Sequence, residues 1–154
     1  MASIKDFRFG IKMEKKLYKH HLKHRYPNVV WNTPIDKWSK FDFTTGKKLI
    51  ELKSRRYYKK KWDKEGHMCE LSKIEYLEEH PEVIGYIYYM YYDGLYRVKI
   101  SKDILQVGIQ KRHGGRTDRG RDERKIQAYI DGKYLKLVSK KIKCPLPPHL
   151  SDEC

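Results

Sequence analysis

The segment Phe41-Asp42-Phe43-Thr44-Thr45-Gly46-Lys47-Lys48-Leu49-Ile50-Glu51-Leu52-Lys53 constrains the fold more than any other part of the chain. Apolar and polar residues alternate on both sides of Gly46, the pattern of a half-buried β-hairpin. With Gly46-Lys47 as a two-residue loop, glycine at the first loop position fits a type II′ turn, and Thr45 faces Lys48. Counting outward, Phe43 faces Ile50, Asp42 faces Glu51 and Phe41 faces Leu52. Phe41, Phe43, Ile50 and Leu52 then form a core face. Asp42, Glu51 and Lys53 share the opposite face.

That second face has a chemical consequence. Directly opposed side chains place their β-carbons about 4.5–5.5 Å apart, so two facing carboxylates repel each other unless a cation intervenes. A divalent metal supplies that cation, and Mg²⁺ often takes only one or two carboxylates together with waters and substrate phosphate. Lys53 lies two residues from Glu51 on the same face, placed to position or deprotonate a water or to stabilise phosphate charge. The competing reading is an exposed polar face on an amphipathic hairpin, with Lys53 neutralising the acids.

The rest of the chain supplies the frame. Ile11, Leu17, Tyr18 and Leu22 recur near helical spacing in Phe7 to Tyr26, and Pro27 ends that helix. Val29 to Trp31, Lys40 to Thr45 and Lys48 to Lys53 read as three strands. Ser54 to Gly66 is basic and irregular. Ser72 and Glu75 form a capping box that starts a helix from Lys73 to His80, with a turn from His67 as a candidate extension. Gly85 to Tyr92 is a tyrosine-rich strand whose faces alternate, one of them packing on a helix. Asp93-Gly94 turns it into Leu95 to Ile100. Ser101 to Leu105 reads as a helical turn, Gln106 to Ile109 as a strand, and Lys111 to Lys125 as a charged loop. Ile126 to Ile130 and Lys133 to Val138 flank Asp131-Gly132, a second hairpin signal. The expected class is α/β or α+β, one domain built on a central mixed sheet flanked by helices.

Charge points to the partner. The 154 residues carry 35 Lys and Arg against 20 Asp and Glu, a formal net charge of +15. Such an excess attracts polyanions, and 13 Tyr and 3 Trp add rings that stack on bases. Nucleic acid is the expected partner, ahead of an anionic membrane surface. No apolar run reaches membrane-spanning length, and the basic N-terminus lacks the apolar core of a signal peptide. Cys69, Cys144 and Cys154 are odd in number and widely spaced, which is no disulfide framework, and His67 with Cys69 lacks a second pair for zinc. An intracellular protein, cytoplasmic or nuclear and of cellular, viral or phage origin, is the expectation.

Asp42, a short gap, then Glu51-Leu52-Lys53 resembles the bipartite signature of the PD-(D/E)XK nuclease superfamily. The resemblance extends from Phe7 to Tyr92, through an element order of helix, three strands, helix and strand. It implies a restriction-endonuclease-like core of order αβββαβ, here with extra C-terminal strands, over residues 1–139. The composition of residues 140–154 reads as a basic, then proline-rich, loosely ordered tail. It implies that Asp42 and Glu51 bind Mg²⁺ or Mn²⁺ with the Leu52 backbone carbonyl, and that Lys53 is the catalytic lysine. Glu14 matches the additional acid that such enzymes often carry in the first helix, and Lys73 a basic residue at the start of the second. Phe41 stands where the written signature has proline.

Two basic segments are candidates for the nucleic-acid surface. Arg55, Arg56, Lys59 and Lys60 leave the proposed catalytic strand directly, interleaved with Tyr57, Tyr58 and Trp62. Arg112, Arg116, Arg119 and Arg121 stand in a glycine-containing stretch suited to gripping phosphate, although Asp118, Asp122 and Glu123 offer them local ion pairs. The leading reading is a divalent-metal-dependent hydrolase of DNA phosphodiester bonds, working alone or as a homodimer. The alternatives are a non-catalytic nucleic-acid-binding protein with a nuclease-like fold and an assembly protein on a degenerate nuclease fold.

Overall fold

Helix α1 (Ile4–Leu17) runs through a π-helical turn (Tyr18–Leu22) into α2 (Lys23–Arg25) in this computed structural model, which describes residues 4–36, 39–114 and 125–150. Met13, Leu17 and Leu22 are buried along it. The step from Leu17 to Leu22 is five residues, and the π-helical turn returns Leu22 to the same face as Leu17. The helix ends as expected before Pro27, with Tyr26 already extended.

Strands β1 (Val30–Trp31), β2 (Phe43–Thr45) and β3 (Lys48–Ser54) form an antiparallel meander. The predicted register holds, with Thr45 opposite Lys48 and Phe43 opposite Ile50. Gly46 has φ +56°, the positive value the first residue of a type II′ turn requires. The chain then passes through a short helix α3 (Lys60–Asp63), strand β4 (His67–Cys69) and helix α4 (Leu71–Glu79). Strand β5 (Ile84–Tyr91) enters parallel to β3, and β6 (Gly94–Ile100) pairs back antiparallel. Strand β9 (Lys136–Ser139) completes a six-stranded mixed sheet of order β1-β2-β3-β5-β6-β9. A second, antiparallel sheet joins β4 to β8 (Lys125–Ile130) and β7 (Ile109–Gly114). The fold is a mixed α/β arrangement, and among the described residues no helix is long and apolar enough to cross a membrane.

The main sheet is covered on both faces, which is why β5 reads as a nearly continuous apolar and aromatic run. One core holds α1, Phe43, Ile50, Leu52, Tyr88 and Met90. The other packs Ile87, Tyr89 and Tyr91 beneath Ile74 and Leu77 of α4 and Ala128 and Ile130 of β8. A buried polar link crosses this second layer. The His67 ring lies 2.6 Å from Tyr91 Oη and 2.8 Å from Asp63 Oδ1, and Tyr89 Oη donates to the Met68 carbonyl at 3.0 Å.

Several expectations change. Helix α4 starts at Leu71 with Glu70 at its N-cap and no side-chain cap, so Ser72 and Glu75 do not build a capping box. His67 begins a strand rather than a helical turn, because its pairing with Ile130 joins it to the second sheet. Residues 106–108 belong to a π-helical turn (Ile104–Gly108), and the strand starts only at Ile109 and runs through Lys111, where a loop was expected. Asp131-Gly132 is no hairpin. The Asp131 side chain accepts from Lys133 N, closing a 3₁₀ turn (Gly132–Tyr134), and β9 crosses to pair with β6. The stretch after residue 140 is not a loose tail throughout. Cys144 is fully buried, its N–H donates to the Tyr91 carbonyl at 2.9 Å, and Ile142 and Leu146 pack on the α1 core.

Candidate active site

Pairing between β2 and β3 stops at Phe43 and Ile50. A continued ladder would bring Phe41 against Leu52. The Leu52 N–H instead donates to Asp42 Oδ2 at 2.9 Å. Asn32 secures this departure. Its N–H donates to the Asp42 carbonyl at 2.8 Å, and its Nδ2 donates to the Phe41 carbonyl at 3.0 Å and to Thr44 Oγ1 at 2.8 Å. Phe41 therefore leaves the face predicted for it. It packs in the core under α4, its ring 5.8 Å from that of Tyr76, while Phe43, Ile50 and Leu52 remain together on the α1 side.

Glu51 and Lys53 point from β3 into the α4 layer, where they are 3% and 7% exposed. The exposed-face reading of these residues is thereby excluded. Lys53 Nζ lies 3.2 Å from Glu51 Oε2 and also donates to Glu70 Oε1. Lys73 Nζ lies 3.0 Å from Glu51 Oε1, and it donates to the Lys40 carbonyl. No donor is aligned to hydrogen-bond Glu51 Oε1, although the Lys73 ammonium stands beside it. Glu14 reaches in from α1, where Oε1 accepts from Trp31 Nε1 at 2.9 Å and Thr33 Oγ1 at 2.6 Å.

These groups feel one another. Desolvation pushes the Asp42 carboxyl well above its ordinary range, and the charges of Glu51 and Glu14 push it further, against the Leu52 amide and Lys53. Glu14 is raised by desolvation, opposed by its bonds to Thr33 and Trp31 and assisted by Glu51. Burial alone would lower the Lys53 pKa, but Glu51 and Glu70 outweigh it and raise the value, so Lys53 stays an ammonium. Burial works against ionisation of Glu70 too, yet Lys53 holds its carboxyl well below the usual carboxylate range. Burial drives the Cys69 thiol up to about 12, which rules it out as a nucleophile near neutral pH.

Among the described residues, no group of three or more His, Cys, Asp and Glu side chains stands arranged to hold a metal ion. Asp42 and Glu51 nevertheless repel each other, and Glu51 Oε1 is a buried oxygen without a hydrogen bond. The Leu52 amide points to Asp42, and in a strand the amide and carbonyl of one residue share an edge. Two carboxylates and one carbonyl are a hard oxygen set that suits Mg²⁺ or Mn²⁺.

The basic residues divide. Arg56 and Lys60 are exposed, and the Arg56 guanidinium lies 3.9 Å over the Phe9 ring. Arg55 is half-buried and donates to the Ser54 carbonyl at 3.0 Å, and Lys59 pairs with Asp63 at 2.7 Å. Lys73 faces the carboxylates rather than solvent, with 14% of its side chain exposed. Arg112 is tied to Gln110 and to the Glu65 carbonyl and lies 3.8 Å over the Tyr129 ring, so it braces the second sheet. Arg116, Arg119 and Arg121 lie outside the described residues, as do Asp118, Asp122 and Glu123. Sequence reasoning missed Glu70, hidden by the capping-box assignment two residues later, and Asn32, whose role needs the folded loop.

Comparison with known protein families, curated proteins and solved structures finds no match to this chain.

Proposed function

We propose that this chain is a divalent-metal-dependent nuclease of the PD-(D/E)XK type that hydrolyses DNA phosphodiester bonds. One observation carries the reading: at the point where β2 leaves β3, beside the buried Lys53 ammonium, burial and the Glu51 charge raise the proton affinity of both Asp42 and Glu14. The restriction-endonuclease-like core belongs to the same reading. It is supported by α1, the β1–β2–β3 meander, and a crossover through α4 to a β5 parallel to β3. Strand β4 and helix α3 are additions within that crossover.

Asp42, Glu51 and the Leu52 carbonyl would hold Mg²⁺ or Mn²⁺, which supplies an activated water and a Lewis acid at phosphorus. Asp42 is oriented by the Leu52 amide. Lys53, kept protonated by Glu51 and Glu70, does not serve as a base near neutral pH. Its charge instead stabilises the negative charge that builds on the phosphate oxygens. Lys73 neutralises Glu51, its Nζ 3.0 Å from Glu51 Oε1. Glu14, held by Trp31 and Thr33, adds a carboxylate to the wall of the site. The formal charge of +15 supports DNA as the partner, and two buried free thiols, Cys69 and Cys144, fit a reducing, intracellular setting.

A second reading rests on the same ion pairs. Lys53 and Lys73 already balance Glu51, as they would in a non-catalytic nucleic-acid-binding protein. Cleavage assays with Mg²⁺ or Mn²⁺ on single-stranded, duplex and branched DNA separate the two. The nuclease reading expects cleavage by wild type, and loss of both cleavage and Mn²⁺ binding in Glu51→Gln. It expects Lys53→Met to retain Mn²⁺ binding with kcat lower by about 10²–10³-fold. A wild-type chain that binds DNA and cuts none of these substrates would overturn it.

A further inference from the structure

Arg56, Tyr57 and Tyr58 leave the catalytic strand and are exposed together, with the two tyrosines retaining 42% and 41% of their surface. Their backbone is held. Arg55 N–H donates to the Met90 carbonyl at 3.0 Å, and Tyr92 N–H donates to the Tyr57 carbonyl at 2.9 Å, so the chain keeps alongside β5 beyond the end of β3. Each ring is also braced by another. Trp62 meets Tyr57 at 5.6 Å and 86°, and Tyr92 meets Tyr58 at 5.4 Å and 68°. Lys61 Nζ lies 3.9 Å over one face of the Tyr57 ring, and the exposed Arg56 precedes Tyr57 in the chain with its guanidinium over Phe9.

Packing alone does not account for this arrangement, because a tyrosine kept for the core buries its ring. A ring fixed in place, open to solvent and set among cations is the surface on which unpaired bases stack while their phosphates meet the positive charge. Tyr57 lies four residues past Lys53, at most about 13 Å away even for a fully extended chain, which is within reach of a nucleic-acid strand a few nucleotides long at the carboxylates. Bases within a duplex are already stacked and have no free face to offer. We propose that Tyr57 and Tyr58 form a stacking platform for unpaired nucleobases, which directs single-stranded or locally unpaired nucleic acid to the site. This rests on the nucleic-acid substrate proposed above.

The test is equilibrium binding of a labelled single-stranded oligonucleotide and of its matched duplex to the full chain in EDTA. Leucine keeps the packing against Trp62 and Tyr92 but removes the ring face. The Tyr57→Leu/Tyr58→Leu double variant should bind the single strand at least about fivefold more weakly than wild type. Its duplex affinity and the salt dependence of its single-strand binding should not change, because no cation is lost. The Tyr57→Phe/Tyr58→Phe variant should match wild type. Where the leucine double variant fails to fold, the single Tyr57→Leu and Tyr58→Leu variants are read in the same way. Undiminished single-strand affinity in the leucine variants, or an equal loss on both ligands, would overturn the platform, as would a wild type that binds neither. The assay needs no cleavage, so a chain that stacks single strands but never cuts would sink the nuclease reading and leave the platform standing.

Discussion

The Leu52 amide donates to Asp42 Oδ2 at 2.9 Å, taking the place of a backbone bond to Phe41 that the hairpin ladder would otherwise make. A side chain thus ends the pairing, and it holds the carboxylate beside the next strand at the level of Glu51. The arrangement satisfies one amide and brings acids together where their charges oppose.

That opposition predicts a stability gain on removing one charge. The Asp42 pKa is raised in the folded state, so the native protein holds this proton more tightly than the unfolded chain does. The resulting contribution favours folding at low pH and is lost as pH rises through the raised value. Asp42→Asn keeps an oxygen for the Leu52 amide and removes the charge. In EDTA near neutral pH its melting temperature should exceed that of wild type by about 2–4 °C, on the order of 1 kcal/mol. The advantage should shrink as pH falls and Asp42 protonates, and Mn²⁺ should stabilise wild type only. A variant less stable than wild type at neutral pH would show that Asp42 is already compensated.

Lys73 stands beside Glu51 Oε1, the oxygen that a cation would take. Lys73→Met retains the stem near the Phe41 ring and removes the ammonium. The metal-free variant should be less stable by about 1–3 kcal/mol, since a buried carboxylate loses a partner. Its affinity for Mn²⁺ in titration calorimetry should rise by roughly tenfold, because nothing competes for that oxygen. Unchanged or weaker Mn²⁺ binding would place the metal away from Glu51 Oε1.

The four basic residues after Lys53 should contribute unequally to DNA binding. Arg56 and Lys60 are exposed, whereas Arg55 is half-buried and Lys59 is paired with Asp63. Arg56→Ala and Lys60→Ala should each lower the slope of log affinity against log salt by about 0.7–0.9. Lys59→Ala should move it less and should cost stability through Asp63. Equal effects from all four would show that the loop rearranges on binding.

His67 predicts a pH effect elsewhere in the fold. Burial depresses its pKa below 6.5, against the pull of Asp63. The unfolded chain then binds this proton more tightly, so His67 contributes stability above about pH 6.5 that is lost as pH falls through its folded value. His67→Leu should cost about 1–3 kcal/mol at neutral pH, from the orphaned Tyr91 hydroxyl and the lost Asp63 bond. The deficit should narrow in denaturant titrations below pH 6. His21 is depressed too and is present in both proteins, so their difference isolates His67. A deficit that does not vary with pH would show that folding leaves the proton affinity of His67 unchanged.

Short-range rules made much of this molecule legible from its residues alone. The alternation around Gly46 sets the hairpin register, because side chains reverse at every residue and the turn accepts few sequences. The same local logic placed α1, the ends of β5 and the turn at Asp93-Gly94 to within a residue or a few. Asp42, Glu51 and Lys53 were visible as a group on that basis, and Glu14 through the resemblance.

What lies on top of the hairpin was decided by contacts between residues far apart in the chain. Burial of Glu51 and Lys53 requires α4 and β4 above them, and these bring in Glu70 and Lys73. Phe41 leaves its alternation pattern because Asn32 holds the bend and Tyr76 offers a partner in the other layer. Strand β9 follows an apparent hairpin signal yet joins the far edge of the main sheet, where β6 has an open row of backbone groups. Alternation fixes only which side chains share a face. Whether that face meets water or another layer depends on where distant segments lower their own free energy by packing, and that is settled by the tertiary structure.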